Sequence, residues 1–121
     1  MAEPQLVVQT LGDVVVVDLG SSTVLDASTI DAVGRKLYEL VEKQAHRKII
    51  LDFSQVRFLS SMILGVLIRL RKRSAAINGR VVLCGLRPEL HKVFKISKLD
   101  SLFEFYPNEE EALKSFDVYM R

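Results

Sequence analysis

The sequence predicts an α/β chain with the element order ββαβαβαβα around a single mixed β-sheet. Three observations carry that expectation. Short apolar runs at residues 14–17, 48–53 and 81–84 are rich in β-branched side chains and too brief for surface helices. Between them, apolar residues recur at helical spacing. Strands joined through helices also require crossover connections, which make the sheet mostly parallel.

Taken in order, Leu6-Val7-Val8 and the valines at 14–17 flank Leu11-Gly12-Asp13, whose Gly-Asp pair suits a hairpin turn, so the first two strands are expected to be antiparallel. Gly20-Ser21-Ser22 breaks the second strand. After Asp26-Ala27-Ser28, the residues Ile30, Val33, Leu37, Leu40 and Val41 form one face of a helix of about four turns. Residues 48–53 read as a strand buried on both faces and placed centrally. A second helix starts near Ser60-Ser61, runs through Met62, Ile63, Val66, Leu67 and Leu70, and stops at Asn78-Gly79, which supplies a left-handed residue. A strand at 81–84 follows, then a helix after Arg87-Pro88, a strand around 102–105, and a last helix capped by Asn108 with Glu109, Glu110 and Glu111 at its positive end.

At 121 residues the chain is expected to be one domain, residues 1–121, since a second core would be undersized. An apolar share of 49% against 26% charged residues excludes wholesale disorder. No apolar run approaches the roughly 20 residues of a membrane span, and the N-terminus lacks the pattern of a signal peptide, so no membrane insertion and a cytoplasmic location are expected. Cys84 in an apolar strand reads as a buried, unreactive thiol, and His46 and His91 offer no metal-ligand spacing. No phosphate loop, nucleophile elbow or paired helix histidines occur, so neither catalysis nor a cofactor or metal is expected. Residues 69–98 hold nine basic side chains against one acidic. No nucleic-acid-binding motif accompanies this cluster, and cations toward a helix C-terminus already suit the helix dipole, so a nucleic-acid partner is not expected.

Residues 52–65 are more informative: a buried strand leads through a short polar loop into an apolar helix that starts with two hydroxyls. One of Ser60 and Ser61 is expected to cap that helix. Met62 and Ile63 read either as an apolar docking knob or as core residues of the first turn.

This segment, with the preceding Lys48-Ile49-Ile50-Leu51-Asp52, resembles the signature of STAS domains, and specifically the bacterial anti-sigma-factor antagonists, whose strand ends in an Asp-Ser-Ser/Thr-Gly-Leu-Gly turn. The likeness covers nearly the whole chain, including residues 14–19 with Leu25-Asp26, the long first helix, the 78–85 segment, Arg87-Pro88, Val93-Phe94 and residues 99–113. It implies the STAS fold, a small mixed sheet with helices packed mainly on one face. It also implies that Ser61 is phosphorylated by a partner serine kinase of histidine-kinase-like ATPase fold, which is itself the anti-sigma factor. A metal-dependent serine phosphatase would reverse the modification, and Asp26 would lie beside Ser61. The implied partner surface comprises Phe58, Ser60, Ser61, Met62 and Ile63 with Asp26, Ser28 and Thr29, extended by Arg69, Arg71 and Lys72. Two departures stand out: Ser60 replaces the usual Asp, and Ile63 the usual Gly. They favour the alternative of a phosphorylation-independent STAS scaffold or subunit, as in stressosome-like assemblies or lipid-transport ABC systems. A homodimer is left open.

Overall fold

The computed structural model describes residues 6–20 and 27–119. Five strands form one sheet in the order β1-β2-β3-β4-β5: β1 (Val7–Leu11), β2 (Val14–Asp18), β3 (Lys48–Asp52), β4 (Arg80–Cys84) and β5 (Glu104–Tyr106). The four helices are α1 (Ala27–Glu42), α2 (Ser61–Ala76), α3 (Pro88–Ile96) and α4 (Glu109–Lys114). The predicted mixed α/β order is the observed one.

The β1–β2 hairpin is antiparallel, with Leu11 opposite Val14 across a two-residue turn in which Gly12 has φ of 64°. An L side chain at Gly12 would be strained in that left-handed turn. The first strand thus runs to the turn instead of stopping near residue 8. All later neighbours are parallel. Because the parallel strands are laid down in sequence order and crossovers share one hand, the three connecting helices fall on the same face of the sheet.

Strand alternation then divides the core in two. Val15, Val17, Ile49, Leu51, Val81 and Leu83 face α1, α2 and α3 in the larger cluster. Val14, Val16, Ile50, Val82 and Cys84 face Ala112, Leu113 and Phe116, from α4 and the residues after it, on the other side. Central strands buried on both faces need continuous apolar runs, which is why these three read so clearly in the sequence.

Helix ends follow local chemistry. At the end of α2 the left-handed position is Asn78, with φ of 58°, while Gly79 is required for a different reason: a Cβ there would strike Ser74 Oγ and the backbone of Arg47. Pro88 opens α3. The strand expected around 102–105 begins instead at Glu104. The Leu102 amide bonds the Leu99 carbonyl at 3.0 Å, and Phe103 is drawn into the core against the edge of Phe94, which delays the strand by two residues. No helix among the described residues is long and apolar enough to cross a membrane.

Candidate functional site

The carboxyl ends of the parallel strands carry the loops most able to present function. Two of these strands end in the same way. The Gly20 amide donates to Asp18 Oδ1 at 2.8 Å and the Ser54 amide donates to Asp52 Oδ1 at 2.8 Å, so each carboxylate folds the chain back two residues later. Asp52 is buried, and the loop of β4 closes directly over it. Gly85, with φ of 73°, lies so near that a Cβ would sit 3.0 Å from Asp52 Oδ1.

From Asp52 the chain descends once into the core through Phe53 and Val56, both essentially inaccessible, and then emerges. Phe58 is 65% exposed. Ser60 has extended backbone (φ −95°, ψ 162°) and its Oγ accepts the Ile63 amide at 3.4 Å, so it is Ser60 that caps α2. Ser61 therefore falls on the first helical residue, exposed, with no hydrogen-bond partner for its hydroxyl among the described residues.

Met62 and Ile63 part company. Met62 is 50% exposed beside Ser61, whereas Ile63 is 1% exposed and packs in the larger core cluster. Ile63 is thus a core residue, while Met62 and Phe58 are the exposed apolar side chains of this segment. One residue of helix rotates the side chain by about 100°, enough to turn it from solvent to the sheet. Ser28 and Thr29 lie in the first turn of α1 rather than in a loop. Asp26 lies outside the described residues. Ile30 and Asp31 of α1 form, with Ser61, Met62, Gly65, Val66 and Arg69, a shallow groove of about 310 Å³ between the two helices.

The basic cluster is only in part a free surface. Arg71 Nε donates to the Leu102 carbonyl at 2.6 Å, and Arg73 pairs with Glu42 at 2.9 Å while its guanidinium lies 4.0 Å over the Tyr38 ring. These two cations tie α2 to β5's approach and to α1, although Arg71 remains exposed. Arg69 Nε bonds the Tyr38 hydroxyl at 3.1 Å, and Lys72 is exposed.

The first turn of α2 contains no acidic residue. Behind it, on the α4 face, lies a carboxyl pair that the sequence offered no signal for. Glu109 hydrogen-bonds Asp52, and this bond, burial, and the charges of Asp52 and Asp18 push its carboxyl up to about 7. Burial, followed by the Asp52 charge, pushes the Cys84 thiol up to about 12, so it stays protonated at neutral pH, in keeping with an unreactive core cysteine. Among the described residues no group of three or more His, Cys, Asp or Glu side chains is arranged to hold a metal ion.

The family of the STAS domain matches residues 5–112. An anti-sigma F factor antagonist from Paenibacillus polymyxa is 28% identical over 94 residues, which span 78% of this chain and 80% of that protein. Two solved structures share the fold. One is an anti-sigma-factor antagonist (STAS) domain protein from Planctomyces limnophilus, with a TM-score of 0.84 and 21% identity over 93% of this chain and 98% of that one. The other is the Bacillus cell fate determinant SpoIIAA in its phosphorylated form, with a TM-score of 0.71 and 24% identity over 93% and 99% of the two chains.

Proposed function

This chain belongs to the STAS domain family, and from that premise we propose that it is a regulatory binding protein of the anti-sigma-factor antagonist kind, switched by phosphorylation of Ser61. In this reading the unmodified protein docks an anti-sigma serine kinase of ATPase fold through the ridge of Phe58, Ser61 and Met62, and so frees a sigma factor. The kinase transfers the γ-phosphoryl group of ATP to Ser61 Oγ, releasing ADP and the hydroxyl proton. A metal-dependent phosphatase returns the serine by hydrolysis, releasing inorganic phosphate.

The observation that carries the reading is the division of labour between the two serines. Ser60 holds the cap, so Ser61 is not needed for it, and its exposed hydroxyl, without a hydrogen-bond partner among the described residues, neighbours the exposed Met62 and follows the exposed Phe58 in the chain. A phosphate brings a charge near −2 and must be desolvated by any partner seated on Phe58 and Met62, while a helix start with no acidic residue in its first turn tolerates it. Interface loss without unfolding follows. Ile63 does not oppose this reading, because its extra bulk is taken up in the core.

The test is affinity capture from native-host extract with wild-type and Ser61→Asp baits, the retained proteins being identified by mass spectrometry. An ATPase-fold kinase held by the wild type and lost from Ser61→Asp is the expected result. Equal retention on both baits sinks the switch and leaves the phosphorylation-independent scaffold. That reading expects a complex indifferent to Ser61 and destroyed by Met62→Asp.

A further inference from the structure

Ser61, Gly65 and Arg69 lie at four-residue intervals along one stripe of α2 and line the same groove. Long helical side chains lean toward the N-terminus, which carries the Arg69 guanidinium back toward Ser61. It comes to rest over Gly65, where the position of an absent Cβ is only 3.8 Å from Nη1 and 3.9 Å from Nη2. Gly65 is half-buried and leaves the space between the hydroxyl and the guanidinium open.

The guanidinium is also aimed. Its Nε is bonded to the Tyr38 hydroxyl at 3.1 Å, and the Tyr38 ring is held in turn by Arg73, 4.0 Å above it. That leaves the two Nη groups, with four N–H donors, without an acceptor among the described residues. The neighbouring carboxylate in the groove, Asp31, is paired with Arg35 at 3.0 Å. A planar fork with fixed direction and unspent donors, resting over Gly65 about one turn beyond Ser61 although its own Cα is two turns on, has the geometry for binding a phosphate in two-point fashion.

We propose that Arg69, held by Tyr38, is the intramolecular phosphate partner of Ser61: in the modified protein its Nη groups bind the phosphoserine oxygens across Gly65. The inference rests on Ser61 being the modified residue. Its consequence is that the phosphate is held along α2 inside the docking ridge, making Arg69 a positioning residue for the switched-off state.

The experiment encodes phosphoserine at position 61 during synthesis and follows its second ionisation by ³¹P NMR. A free phosphoserine titrates near 6, and a cation in contact should hold the wild-type value lower, with Arg69→Gln raising it by about half a pH unit or more. Tyr38→Phe, which frees the Arg69 side chain, should raise it by a smaller amount. Arg57→Gln and Lys72→Gln should leave it in place. An unmoved titration in Arg69→Gln, or an equal shift in Arg57→Gln, overturns the proposal. Circular dichroism on each variant confirms that the fold is retained, as expected for exposed positions and for loss of a single hydroxyl at the half-buried Tyr38. Because no kinase is used, this outcome is independent of the capture experiment: a missing kinase defeats the proposed function, and an unmoved titration defeats the clamp.

Discussion

The starts of α2 and α4 are built on one plan and charged in opposite ways. Each is capped by a polar side chain that accepts the amide three residues on, Ser60 from Ile63 at 3.4 Å and Asn108 from Glu111 at 2.9 Å. At α4 three glutamates follow the cap, and one of them, Glu109, is pressed against Asp52 until its carboxyl no longer ionises readily. At α2 no acid follows, and what stands there is the neutral hydroxyl of Ser61, exposed as Phe58 and Met62 are. The difference teaches where added negative charge can be absorbed. The start of α4 is already saturated with it, while the start of α2 has an uncompensated dipole and, two turns on, an arginine with donors to spare.

That contrast can be broken most severely at Ile63, which ties the start of α2 to the core. Ile63→Ala should lower unfolding free energy by about 2–5 kcal/mol, read from urea denaturation, because a fully buried β-branched side chain leaves a cavity. If Ile63 were instead a surface residue, the change would be within about half a kcal/mol. Next in size, Ser61→Asp should weaken kinase binding tenfold or more, about 1.4 kcal/mol, by isothermal calorimetry, with thermal stability unchanged or slightly raised. Equal affinity would mean that the uncharged hydroxyl is not what the partner reads.

The caps themselves give a smaller effect. Ser60→Ala should cost about 1 kcal/mol and Ser61→Ala less than about half of that, a pairing that reverses if the cap has been assigned to the wrong serine. The smallest effect lies at α4. Glu109 has its folded pKa raised above the unfolded value, so its contribution is fully present below about pH 4.5 and is lost as pH rises through about 7. Glu109→Gln should keep the hydrogen bond to Asp52 and remove that loss. Its advantage over wild type should therefore grow from pH 5 to pH 8 by roughly half a kcal/mol, after allowance for solvent screening of a partly exposed group. An advantage that stays constant across that range would show that the two carboxyls do not share a proton.

Much of this architecture was legible residue by residue. The runs at 14–17, 48–53 and 81–84 announce central strands because burial on both faces forbids polar alternation, and Asn108 with its glutamates announces α4. The two hydroxyls at 60 and 61 marked the site. Which of them caps could not be read, since both are good caps and the decision rests on where the extended backbone ends. Nor could Ile63 be separated from Met62, because an apolar run has no visible phase until the sheet fixes which side is inward. The ties of the basic cluster were hidden for a related reason: the acceptors of Arg71 and Arg73, Leu102 and Glu42, are distant in sequence.

By itself, then, the sequence determined the class of fold, the order and approximate extent of its elements, and the family to which its strand-turn-helix segment points, because these depend on periodicity and local turn chemistry. Only the tertiary structure decided that Ser60 and not Ser61 holds the cap, that Ile63 is core, that Glu109 leans on Asp52, and that Arg69 reaches back over Gly65 toward Ser61. Each of those depends on which surfaces the sheet and the neighbouring helices bring together, and contacts between distant segments leave no periodic trace along a single chain.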